Sequence, residues 1–226
     1  MAELNIATGL FKGYNDKEGI MVCGYEWGYS KADLERDSKN DSPPPQDSSE
    51  NNAIFSKNPY PFARRIIKWF SLWGHPLSEK EDAFEKTIVQ TNWCDTQAHH
   101  VEENYWDKLL ATDQLANFLK HVKELQPRLI LFFGSKQIEV LQDSRAIAPF
   151  QEIVGKIVAI DGQPLVIKQK EFNGTQFKVG FQNFERCKIV SLPHPSGSQG
   201  LSDDYIALFK DEISERIQEV KNLKHI

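Results

Sequence analysis

The sequence predicts an α/β fold: three layers, α/β/α, around a central, mainly parallel four-stranded sheet, with an inserted β-hairpin region. Three observations predict it. Short apolar runs such as IMVCG (20–24) and RLILFFGS (128–135) read as strands buried on both faces. Longer segments between such runs carry apolar residues at helical spacing. The two kinds alternate along most of the chain, as parallel strands with covering helices do.

Each element has its own reason. IMVCG is the first strand, stopped by Gly24. YPFARRIIKWFSLW (60–73) is a helix opened by Pro61, whose fixed φ suits a first turn. KTIVQTN (86–92) is the second strand. One long amphipathic helix is expected over 104–125, with Trp106, Leu109, Leu110, Phe118, Leu119, Val122 and Leu125 on one face. Pro127 breaks it. RLILFFGS is the third strand and runs into a helix start, and CKIVSLP (187–193) is the fourth. A last helix over about 202–223 aligns Ile206, Phe209, Ile213, Ile217 and Val220. Residues 153–181 interrupt the alternation. Their β-branched runs surround Asp161-Gly162 and Asn173-Gly174, two hairpin-turn pairs, so an antiparallel insertion is expected there. One domain over 1–226 accounts for all of it.

Composition bounds the class. With 226 residues, 40% hydrophobic and 26% charged, the chain can bury one sizeable core. No run nears the roughly 18 apolar residues of a membrane span. The start, MAELNIATGLFKGYND, lacks the basic, apolar and small-residue regions of a signal peptide, which points to the cytoplasm. Cys23, Cys94 and Cys187 are odd in number and far apart, as free thiols in a reducing compartment are. His99-His100 near Cys94 and Asp95 lacks a repeated ligand spacing, so no metal site is expected. The net charge is −5, but segment 31–52 holds six acids against three bases and a triple proline. Taking out its surplus of three leaves −2 for the rest. That segment is expected to be a flexible acidic loop, either a lid or a spacer.

In an open parallel sheet, ligands bind beyond the carboxyl ends of the strands. Those ends carry Gly24, Tyr25, Glu26, Trp27 and Gly28; Asn92; Gly134 and Ser135; and Pro193, His194, Pro195 and Ser196. Glu26 suits a general base or a cation stabiliser, and Asn92 suits the edge of an amide-like heterocycle. His194, held between prolines, suits a hydrogen-bond donor to developing negative charge. Ser135 and Ser196 suit phosphate, and Phe55 and Phe62 suit stacking on a flat base. Taken singly, each has a plainer reading. Glu26 is equally a loop cap, Asn92 a partner for loop backbone, and Phe55 a core residue. Arg64, Arg65 and Lys68 could grip phosphates, and their plainer reading is a solvated helix face.

Together the motifs resemble the uracil-DNA glycosylase superfamily. Gly24 to Gly28 fills the slot of that family's G-Q-D-P-Y-H or G-x-N-P-G motif. Phe55-Ser56 is similar to its Phe-Ser pair, Asn92 to its base-reading asparagine, Gly134-Ser135 to its W-G-S-H, and His194-Pro195-Ser196 to its H-P-S-P. The matches run in family order from about 19 to 209. The resemblance implies a monofunctional DNA glycosylase that hydrolyses the N-glycosidic bond of a flipped-out pyrimidine, with DNA as partner and no cofactor. It implies catalysis by Glu26 and His194, and base binding by Asn92, Phe55, Gly24, Tyr25 and Gly28. It further implies phosphate contacts from Ser56, Ser135 and Ser196, and a wedge at Leu201. Glu26 departs from the family's Asp or Asn. Gly28, where the uracil-specific branch has a tyrosine wall, implies room for a 5-substituent, including the bulky bases of some phage genomes. The alternative is a nucleic-acid-binding module that kept the fold and lost the chemistry.

Overall fold

The computed structural model describes residues 4–28, 53–78, 82–98, 104–174, 176–196 and 198–226. The acidic segment 31–52 and the pair His99-His100 lie outside these residues. The strands are β1 (Ile20–Gly24), β2 (Trp27–Gly28), β3 (Ile88–Asn92), β4 (Gln97–Ala98), β5 (Leu129–Phe133), β6 (Ile157–Val158), β7 (Val166–Lys168), β8 (Val179–Phe184) and β9 (Lys188–Leu192). The helices are α1 (Pro61–Leu72), α2 (Tyr105–Leu110), α3 (Thr112–Leu125), α4 (Ser135–Val140), α5 (Ser144–Val154), α6 (Asp203–Ala207) and α7 (Lys210–Leu223).

The four expected strands form a parallel sheet in the order β3-β1-β5-β9. Strand alternation divides its side chains between two cores. Ile20, Val22, Leu129, Leu131 and Phe133 face Ile66, Trp69 and Phe70 of α1 and Ile213 and Ile217 of α7. Met21, Cys23, Ile130 and Phe132 face Leu109 of α2, Phe118 and Val122 of α3 and Phe150 of α5. Helices therefore cover both faces, which is the three-layer arrangement.

The sheet is larger than the sequence indicates. The insertion joins it instead of standing apart, bringing it to seven strands. Strand β8 runs antiparallel to β9, and β6 and β7 share the far edge of β8. The reason is the edge left by β9: unpaired backbone groups there need a partner, and β8 supplies it. Both turn pairs behave as hairpin turns, with φ of 50° and 78° at Asp161 and Gly162 and of 50° and 73° at Asn173 and Gly174. A mutual pair of backbone hydrogen bonds joins Ile160 and Gln163, each 2.9 Å.

Two long helices turn out divided. The expected helix over 104–125 breaks at Ala111, whose ψ is 136°, and the break leaves Trp106 40% exposed instead of on the apolar face. It also lets α2 turn Tyr105 and Lys108 toward the β1 end. The last helix breaks between Ala207 and Lys210. Helix α5 extends beyond anything the sequence reading assigned; Asp143 caps it by accepting from the Arg145 N–H at 3.0 Å. Among the described residues no helix is long and apolar enough to cross a membrane.

Candidate functional site

The register of β1 on β3 sets Gly24 beside Asn92. A Cβ on Gly24 would overlap Asn92 Oδ1 and come within 3.5 Å of Phe62 Cζ. The glycine is thus what lets an asparagine amide lie across the strand end. The Phe62 ring, from the first turn of α1, lies 5.8 Å from Phe133 and 5.6 Å from the His194 ring. On its other side His194 lies nearly parallel to Tyr25, 14° apart with centroids at 6.2 Å. The ends of β1 and β9 and the first turn of α1 therefore meet at one imidazole.

The state of that imidazole follows from its neighbours. The Ser196 backbone N–H donates to His194 Nδ1 at 3.2 Å, so Nδ1 holds a lone pair and the proton sits on Nε2. Burial lowers the His194 pKa from its ordinary value to about 4. At neutral pH the ring is an uncharged Nε2–H donor.

Tyr25 and Glu26 complete the β1 end. The Tyr25 ring lies flat over Gly134, where any Cβ would overlap it, and its Oη accepts from the Lys136 N–H at 3.0 Å. Burial pushes its pKa up to about 12. The Glu26 side chain is only 6% exposed. Its Oε1 accepts from Tyr105 Oη at 2.5 Å, and its Oε2 accepts from Lys108 Nζ at 2.5 Å and Thr96 Oγ1 at 3.0 Å. Burial first, and then the Glu26 carboxylate, raise the Tyr105 pKa, so its hydroxyl stays a donor. Tyr25 links this cluster to the imidazole, since its ring is also 4.7 Å from that of Tyr105.

Several sequence assignments need correction. Phe55 is fully buried and edge-on to Phe70, a core residue with no face for a base. Phe62 is the aromatic at the site. Ser56 is buried and its hydroxyl is bonded to Glu85, so it does not present itself to phosphate. Leu201 is 7% exposed and packed in the α1-side core, so it does not protrude as a wedge. Ser196 is exposed, and its N–H and hydroxyl, the latter at 3.3 Å, serve His194. Ser135 is half-buried at the start of α4. Gly28 is exposed on β2, which pairs with β4, and no described atom lies within 4 Å of where its Cβ would be.

Besides the partners of Glu26, the roles of Gln137 and Arg65 escaped the sequence reading. Gln137, fully buried on α4, donates to the Gly24 carbonyl at 2.9 Å and holds the end of β1. Arg65 is not a solvated charge. It donates to Asp203 Oδ1 at 2.9 Å, to the Leu201 carbonyl at 2.5 Å and to the Pro195 carbonyl, lying 5.5 Å from the Trp69 ring. Asp203 also accepts from Trp69 Nε1 at 2.7 Å and Lys68 at 2.6 Å. Burial works against its charge, yet these donors hold its pKa at about 2. The segment that carries His194 is thereby stapled to the helix that carries Phe62. The signal lay in helical phase: Phe62, Arg65, Ile66 and Trp69 share one face of α1, so the arginine sits in an apolar stripe.

Comparison of the sequence with protein-family models found no match, and comparison with curated proteins found none either.

Proposed function

We propose that the chain is a DNA glycosylase acting on a uracil-like or 5-modified pyrimidine turned out of the helix. The target base stacks on Phe62, and Asn92 reads its amide-like edge. As the N-glycosidic bond breaks, its electron pair goes to the base, and His194 Nε2–H donates to that negative charge. Water adds to the sugar carbon and the proton it gives up passes to the base anion, giving the free base and an abasic site. Glu26 contributes fixed charge near the cationic sugar, with its position set by Tyr105, Lys108 and Thr96. Gly28 carries no wall side chain of its own, which supports entry of a bulky 5-substituent, of the kind carried by some phage DNA, and defence against phage is the setting this suggests.

The observation that carries this reading is the imidazole set between the rings of Tyr25 and Phe62, with the Asn92 amide across the end of β1. The test is incubation with DNAs holding uracil, a thymine mispair, 5-hydroxymethylcytosine or its glucosylated form, followed by alkali to reveal abasic sites. Cleavage of one substrate, with His194→Ala reducing the rate about 100-fold or more, is the expected result. A second reading is a binding module without turnover. It is favoured by Glu26, whose two oxygens already accept from three donors of the protein. DNA binding with no abasic product from any substrate would decide for it.

A further inference from the structure

A cavity of about 230 Å³ lies at the amino ends of the parallel strands, opposite the end that carries His194. Glu18 lines it from ahead of β1, Gln126 and Arg128 from ahead of β5, Val154 from the end of α5 and Arg186 from ahead of β9. Backbone hydrogen bonds knit these segments together. The Glu18 N–H donates to the Leu125 carbonyl at 3.0 Å, the Arg128 N–H to the Gly19 carbonyl at 3.0 Å, and the Arg186 N–H to the Val154 carbonyl at 2.9 Å. Two of the lining residues hold left-handed backbone, with φ of 56° at Glu18 and 44° at Gln126. The other described non-glycine residues of positive φ are Asp161, Asn173 and His225, types that tolerate it better than Glu or Gln. Strain of this kind gathers at ligand sites.

The charges in the cavity do not balance. Two guanidinium groups face one carboxylate. Arg128 Nη2 lies 2.9 Å from Glu18 Oε1, while Arg128 Nε is buried with no acceptor among the described residues. The Arg186 side chain donates to the Ile153 carbonyl at 2.6 Å and has no carboxylate partner among the described residues. The space is several times the ~30 Å³ share of one water, yet below the roughly 300–1,000 Å³ of pockets for larger ligands. It suits a small oxyanion.

We propose that this cavity binds hydrogen phosphate, whose oxygens accept from Arg128 and Arg186 and whose O–H donates to Glu18. The inference goes beyond the reading of the crevice and does not need it. Forks arriving from two segments suit a tetrahedral ion, which spreads its oxygens in three dimensions, better than a flat carboxylate. Glu18 decides between tetrahedral ions. Hydrogen phosphate keeps a proton at neutral pH for that carboxylate to accept, whereas sulfate has none and meets a like charge. A bound ion would also tie the segments ahead of β1, β5 and β9 together, and so stabilise the sheet by mass action.

The test is equilibrium dialysis of the full chain against labelled inorganic phosphate, at constant ionic strength and neutral pH, with sulfate as competitor. Phosphate is expected to bind at least about 10-fold more tightly than sulfate, from the loss of one charge-assisted hydrogen bond. Arg186 is exposed, so Arg186→Gln should fold normally and weaken phosphate roughly 10- to 100-fold. Arg145→Gln, at the far end of α5, should bind like the wild type. Glu18→Gln should narrow the gap between phosphate and sulfate. Three results would each overturn the proposal: no phosphate bound at millimolar concentration, sulfate competing as well as phosphate, or Arg186→Gln binding like the wild type. None of them bears on excision in the crevice, which is read from DNA alone.

Discussion

At the scale of single residues, the site divides into a paired charge and a neutral ring. Glu26 and Lys108 are mostly removed from water, so removing one leaves the other short of its opposite charge. Lys108→Met alone is expected to cost on the order of 3 kcal/mol, and adding Glu26→Gln should recover a large part of it. Urea unfolding of the four members of the cycle measures the coupling. His194 behaves differently. Its folded pKa of about 4 lies below its ordinary value of 6.5, so between the two the unfolded chain binds a proton that the native protein does not. Stability is therefore expected to fall as pH drops from about 6.5 to 4 and to level off below. His194→Asn should lose less over that window, by about 3 kcal/mol, in parallel unfolding curves. These two residues were legible because each follows a buried strand. Glu26's partners were not, since Thr96, Tyr105 and Lys108 reach it only through the bend at Ala111, which no glycine or proline announces.

At the scale of elements, α1 does more than cover the sheet. It presents Phe62 to the site, and through Arg65 it grips the segment after β9 at two carbonyls and at Asp203. Arg65→Ala leaves those acceptors short of a donor, with a cost of about 2–3 kcal/mol. Limited proteolysis should then cut within 195–201 sooner than in the wild type, while Arg64→Ala, one residue away and exposed, should leave the cleavage rate unchanged. The helix itself was legible from Pro61 and its apolar stripe. The staple was not, because Asp203 lies far along the sequence and an arginine in a basic run reads as surface. Phe55 failed for the opposite reason. A motif resemblance drew it to the site, whereas its burial against Phe70 keeps it in the core.

At the scale of the whole molecule, two cores share one sheet, and their side chains alternate along each strand. That pattern was legible wherever strands are continuous and apolar. The extension by β8 was not, because residues 179–184 read VGFQNF, a mixed run that shows its place only beside β9. Phe118, stacked on Trp93 at 3.9 Å and fully buried, should cost about 3–5 kcal/mol on change to alanine. Trp106→Ala, on the exposed side of the helix break, should cost about 0.5 kcal/mol or less by the same thermal melt. The parallel order of the sheet has a consequence in time. β1 must wait for β3 and β5 to be synthesised before either of its edges is covered, and β5 must wait for β9. Such distant pairings favour slow folding, and a chain growing from its N-terminus folds what it has. His194, Pro195 and Asp203 arrive after the whole of the sheet. A nascent chain stopped before them would have the strand ends built and the imidazole missing, so the candidate site is completed only after its scaffold.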